Sequence, residues 1–214
     1  MKPVERYREL MKDLREHPSR YFDHRSPLAL STFLRGYEQG DPALCDSASV
    51  VHDVVVDRYP SAGSIRAGTV LYLIFTDLAE AYDLYISVFL EVLERPEVDI
   101  DPGEYQPLRA SLKGFWPDLR ARAPMLIGSW DVRDLYTFLQ GFWRALDDCG
   151  HDTTGDRRDL DAFEKHLQTE IGSRGRWDRL LFAEDLGQGR SAARFVEVFE
   201  QWSGLAEAVP ARGA

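Results

Sequence analysis

A chain of 214 residues, 44% hydrophobic and 12% aromatic, can build one large core or two small ones, which excludes a disordered chain. A net charge of −10 argues against a nucleic-acid binder, which needs a basic face to displace counterions from phosphates. No apolar run approaches the roughly 18 residues of a membrane span, the longest being 70–75, and two cysteines make no disulfide framework. The N-terminal Met1-Lys2-Pro3-Val4-Glu5-Arg6 has no apolar signal region, so a cytoplasmic protein is expected.

Residues 4–16 predict an amphipathic helix, with Tyr7, Leu10, Met11 and Leu14 at i, i+3, i+4 and i+7. Pro18 ends it, since proline disfavours a helical residue before it and has no N–H to donate. Ser26-Pro27 is a restart signal, serine capping free N–H groups and proline pre-set for the first helical position. Leu30, Phe33, Leu34 and Tyr37 form the apolar stripe of that second helix, and Asp41-Pro42 repeats the signal for a third reaching Arg58. Valines at 50–56 favour a strand by propensity. Their counterpart, 160–171, carries Leu160, Phe163, Leu167 and Ile171 at helical spacing, so both read as helix. Tyr59-Pro60 closes that helix, 61–64 read as a turn, and 65–75 predict a short helix buried on most sides. Asp77 with Glu80 resembles a capping box opening a helix through Leu93, whose buried face is Leu78, Ala81, Tyr82, Tyr85, Phe89 and Val92. Three prolines, a glycine and four acids mark 96–107 as a linker.

The second half replays the plan. Residues 108–122 take the place of the first helix, with a break expected at Pro117, and Asp131 caps the helix carrying Phe138, Leu139 and Gly141. A polar loop over 149–156 follows, then the 160–171 helix and a short buried helix over 173–183 with Trp177, Leu180, Leu181 and Phe182. Gly187-Gln188-Gly189 is a flexible insertion, and a last helix, 191–202, presents Phe195, Val198, Phe199 and Trp202. The tail, 206–214, is expected to be loose.

Behind this parallel lies a segment written twice. Leu30-Ser31-Thr32-Phe33-Leu34-Arg35-Gly36-Tyr37 recurs 105 residues later as Leu135-Tyr136-Thr137-Phe138-Leu139-Gln140-Gly141-Phe142, with five of eight positions identical. The expected fold is all-α: two pseudo-repeats of about five helices each, 1–95 and 108–205, packed into one globular assembly. Gly36 and Gly141 read as places where a second helix approaches closely.

Chemistry is sparse. Asp147, Asp148, His151 and Asp152 cluster around Cys149-Gly150 and could offer oxygen and imidazole ligands to a divalent metal, although Gly150 interrupts the helix that would align them. No nucleophile elbow, phosphate loop or zinc spacing is present, the other histidines fall into no pattern, and no cofactor is expected. Cys45 and Cys149, at near-equivalent places after the repeated glycines, read as packing thiols. Charge is uneven: between Asp77 and Glu104 nine acids face only Arg95. Aromatics gather around the second copy, in Phe115-Trp116, Trp130 and Trp143.

Leu14-Arg15-x-x-Pro18-x-x-Tyr21, followed by Leu30-x-x-Phe33-Leu34-x-Gly36-Tyr37, resembles a pattern of small helical actinobacterial proteins. In those an Arg-Pro-x-Met-Tyr-Leu-Gly turn precedes a Leu-x-x-Phe-Leu-x-Gly-Tyr helix, and some look like immunity proteins of polymorphic toxin systems. The second copy is nearer to the turn, as Arg122-Ala123-Pro124-Met125-Leu126-Ile127-Gly128, with Leu126 for the tyrosine; the first has His17 for the arginine and Asp23 for the glycine. The resemblance spans about 25 residues per half and implies no catalytic residues.

The leading expectation is therefore a non-catalytic binding protein, an immunity-type inhibitor that occludes a basic bacterial toxin domain. Glu91, Glu94, Glu97, Asp99, Asp101 and Glu104 would steer that partner, with Trp116 and Trp130 supplying contact area. The alternatives are a helical enzyme processing a metal or small molecule at Asp147, Asp148, His151 and Asp152, and a homodimeric scaffold.

Overall fold

The computed structural model describes residues 3–60, 66–95, 110–185 and 189–204, and for 45–48 the backbone alone. The regular structure of these residues is all-helical: α1 (Pro3–Glu16), a 3-10 turn (Pro18–Arg20), α2 (Pro27–Gly40), α3 (Leu44–Arg58), α4 (Ala67–Ile74), α5 (Leu78–Leu93), α6 (Leu112–Ile127), α7 (Val132–Asp148), α8 (Thr154–Ile171), α9 (Trp177–Glu184) and α10 (Ser191–Ser203). None of these helices is long and apolar enough to cross a membrane. The turn expected at 61–64, the linker at 96–107 and the tail at 206–214 lie outside the described residues, as do 186–188 of the segment before α10.

Local chemistry accounts for four of the helix starts. Ser26 accepts from the Leu28 N–H at 3.2 Å, Asp77 from Ala79 and Glu80 at 2.8 and 3.2 Å, Ser111 from Gly114 at 3.1 Å and Asp131 from Arg133 at 2.9 Å. Each bond satisfies a donor that the first helical turn leaves unpaired. Asp41 departs from the expected pattern. Helix α3 opens at Leu44 without a side-chain cap, and the Asp41 carboxylate is taken instead by Arg6 and Tyr7 of α1. Pro117 does not break α6 either. The backbone leaves helical geometry at Arg122 (φ −152°, ψ 31°), two residues before Pro124. Pro124 offers no N–H to the preceding turn, and its ring would strike the carbonyl of Arg120 in a regular helix.

The chain groups into two compact units: Met1–Leu108 with Thr137–Cys149, and Arg109–Tyr136 with Gly150–Ala214. The body of α7 thus belongs to the first unit, although it follows the 96–107 segment by some thirty residues. In that unit α2 and α7 meet through glycines. A Cβ added at Gly36 would lie 2.7 Å from the Phe138 carbonyl carbon and closer still to its oxygen. One added at Gly141 would lie 2.9 Å from the Phe33 carbonyl carbon, so the contact is reciprocal between the two copies of the duplicated segment. One turn beyond Gly36, a Cβ at Gly40 would meet the Ala145 Cβ at 2.8 Å. Phe33, Tyr37, Phe138 and Phe142 surround this crossing, all fully buried. Helices α1, α3, α4 and α5 complete the core of this unit, with the Tyr82 hydroxyl donating to the Leu14 carbonyl at 2.5 Å.

The second unit is built on rings. Trp116 and Phe163 pack on Phe199 at centroid distances of 4.8 and 5.0 Å, and Trp177 on Phe195 at 4.6 Å. Helix α10 buries Val196 rather than the expected Val198, which is half-buried.

Candidate functional site

Of the acids expected to steer a partner, Glu91 and Glu94 sit at the end of α5; Glu97, Asp99, Asp101 and Glu104 lie outside the described residues. Glu91 is already engaged. Arg58 and Arg95 approach it at 2.5 and 3.2 Å, and their hydrogen bonds hold its carboxyl below the usual range. Glu94 is exposed at the C-cap.

The two tryptophans part company. Trp116 lies inside α6, 1% exposed, and its indole N–H donates to Glu200 at 2.9 Å, so its contact area is spent on packing within its own unit. Trp130 is 52% exposed and stands beside Arg190, Arg194 and Glu197 at a cavity of about 590 Å³ in the second unit.

The Asp147–Asp152 cluster is dispersed by local bonding. Asp148 accepts from the Arg144 guanidinium at 3.0 Å and from the Tyr37 hydroxyl at 2.9 Å. Gly150, at φ +82°, turns the chain away from the helix, and Asp152 accepts from the Thr154 N–H at 2.9 Å at the start of α8. Hydrogen bonds from Thr154 lower the Asp152 carboxyl. Asp147 is exposed and His151 half-buried. Among the described residues no three His, Cys, Asp or Glu side chains stand where they could hold a metal ion.

Asp148 instead belongs to a charged network inside the first unit. Arg144 also reaches Asp13 at 2.9 Å and the Tyr21 hydroxyl, while Tyr21 donates to Asp13. Burial alone would raise the Asp13 carboxyl, but the hydrogen bonds of Tyr21 and Arg144 outweigh it and hold the group low. Beside this set lies the buried Arg6–Asp41–Tyr7 cluster. Cys149 is half-buried, and burial pushes its thiol above the ordinary value, away from the reactive thiolate. Charges here are answered by opposite charges, which suits a structural joint between α1, α2 and α7.

Two features of the first unit do face solvent. The end of α4 was expected to be buried, yet Tyr72, Leu73 and Ile74 are 41%, 66% and 43% exposed. An eight-residue helix has few turns to bury, and Ala67, Gly68, Val70 and Leu71 supply its packed face. The other feature is a cavity of about 320 Å³ framed by four helices. Helix α2 contributes Ser31, Leu34, Arg35 and Glu38 to it, and α3 contributes Ser49 and His52. Arg66 and Ala67 line it from the start of α4 and Tyr85 from α5. No protein-family model, curated protein or solved structure matches the chain.

Within that cavity burial raises the Glu38 carboxyl from its ordinary 4.5 to about 7, the charges of Arg35 and Arg66 recovering only part of the shift. Sequence gave one faint signal of it: Arg35 and Glu38 are the two charged residues of α2. Below pH 4.5 Glu38 is protonated whether the chain is folded or not. As pH rises to about 7 the unfolded chain ionises this group first, so stability falls across that window and stays lower above it. Glu38→Gln is expected to flatten the fall and to exceed the parent in stability at pH 8, by at most about 3 kcal/mol. Urea melts of both proteins at pH 4.5, 6 and 8 check this, and parallel pH profiles would refute it.

Proposed function

We propose that the chain is a non-catalytic binding protein whose first unit docks a basic protein partner on the exposed end of α4. In its specific form it is a cytoplasmic immunity-type inhibitor that occludes a bacterial toxin. The observation that supports this reading is the run of three large apolar side chains, Tyr72, Leu73 and Ile74, held out of the core at one helix end. Contiguous exposed apolar surface of this kind marks interaction sites, and central apolar anchors carry most binding energy. Tyr59 and Phe75, with ring centroids 6.1 Å apart, flank the run, and exposed Asp57, Asp77 and Glu80 lie close by in sequence. An apolar centre with acidic neighbours in a chain of net charge −10 suits a partner with a basic, apolar-centred face. The two-repeat organisation is part of the same proposal, supported by the reciprocal Gly36–Phe138 and Gly141–Phe33 approaches.

Placing a photo-crosslinking residue at Leu73, in cells that make the protein naturally, tests the docking face. One basic polypeptide is expected to crosslink there and not from Glu170, an exposed position on α8. With that polypeptide purified, Leu73→Asp should weaken binding at least about tenfold at unchanged melting temperature, and salt should slow association. Absence of an adduct, equal adducts from both positions, or an adduct to a second copy of the chain would each overturn the reading.

A further inference from the structure

We propose that the cavity framed by α2, α3, α4 and α5 binds a small organic carboxylate. Its volume of about 320 Å³ lies at the lower end of ligand pockets and accepts roughly ten heavy atoms, at the ~30 Å³ that a water occupies in the liquid. Charge selects the sign of the ligand. Arg35 and Arg66 line the cavity in a chain whose overall charge is strongly negative, and His52 faces the same space from α3. Two guanidiniums repel a cation, whereas they form planar, charge-assisted hydrogen bonds with a carboxylate.

The remaining lining chooses between anions. Leu34 and Ala67 give the cavity an apolar side, which inorganic phosphate would leave uncovered and the carbon body of an organic acid would fill. Glu38, which keeps its proton up to about pH 7, can donate to an incoming carboxylate, and once ionised it repels one. The charged and titratable groups around it are Arg35 on its own helix, His52 of α3, Arg66 at the start of α4 and Tyr85 of α5. Burial raises the Tyr85 hydroxyl out of the working range, and that group bonds with Ser31.

Benzoate and inorganic phosphate, titrated separately by calorimetry and by NMR shift mapping, test the site. Benzoate is expected to saturate with a Kd of about a millimolar, as its few heavy atoms allow, and phosphate to bind at least about tenfold more weakly. Benzoate should bind about tenfold more tightly at pH 6 than at pH 8, as Glu38 loses its proton. Arg66→Gln, at an exposed position, should weaken benzoate about fivefold or more with melting temperature unchanged. Glu38→Gln should retain binding with a flatter pH dependence than the parent. Failure of benzoate to saturate, phosphate binding as tightly as benzoate, or full affinity in Arg66→Gln would each overturn the proposal.

Discussion

Gly36→Ala is expected to destabilise the protein by about 3 kcal/mol or more, although alanine is the better helix former by about 1 kcal/mol. The sign is set by what the new methyl meets. Its Cβ would fall 2.7 Å from the Phe138 carbonyl carbon, with the oxygen nearer still. These are backbone atoms of α7, which cannot swing aside as a side-chain end can, so the helices must separate. Separation loosens Phe33, Tyr37, Phe138 and Phe142, all fully buried at the crossing. Gly141→Ala should cost as much, because its Cβ meets the Phe33 backbone in the same way. The double variant should cost distinctly less than the sum, since one displacement relieves both clashes. Gly155→Ala, in α8, is the control: nothing lies within 4 Å of the added atom, so only the helix preference acts and a gain of up to about 1 kcal/mol is expected. Hydrogen exchange of the α2 and α7 amides reads the effect within the first unit. A Gly36→Ala protein as protected as the parent would show that the close approach is not what holds these helices together.

The same glycines show how far the sequence could be read. Apolar spacing and caps are local signals, so the all-helical fold and the starts of α2, α5 and α7 were legible from Ser26, Asp77 and Asp131. The duplicated segment also singled out Gly36 and Gly141 as close-approach positions, since a small residue amid a large apolar stripe has few other uses. What it withheld depends on distant parts of the chain. Asp41-Pro42 looks like a helix start, and nothing nearby announces that Arg6, 35 residues earlier, takes the carboxylate. Asp148 looked available beside Asp147 and His151 until Tyr37, 111 residues away, and Arg144 accounted for it. Trp116 appeared as a surface anchor because its partner Glu200 is 84 residues distant. The cavity around Glu38 is non-local as well, drawing its lining from four helices, and no motif within one of them could reveal it.

The largest electrostatic effect should come from that unforeseen pairing of Arg6 with Asp41. Asp41 is 4% exposed, and it receives the Arg6 guanidinium and, at 2.9 Å, the Tyr7 hydroxyl. Burial alone would lower the Arg6 pKa, yet the charge of Asp41 keeps the guanidinium firmly protonated. Arg6→Leu removes the countercharge while leaving a nearly buried carboxylate unpaired, and about 3–5 kcal/mol of stability should be lost. Arg6→Leu combined with Asp41→Leu should recover most of that loss, because the pair then leaves no uncompensated charge behind. Recovery will be incomplete by about 1 kcal/mol, the Tyr7 hydroxyl having lost its acceptor. The native pair is itself imperfect: the Arg6 Nε is buried with no hydrogen-bond partner, which narrows its advantage over two packed leucines. Urea denaturation of the parent, both single variants and the double variant closes the cycle. A single Arg6→Leu within about 0.5 kcal/mol of the parent would mean that the carboxylate finds water or another cation. A double variant no more stable than the single would mean that the two groups act through packing, and their charges would then have no part in holding α1 to the end of α2.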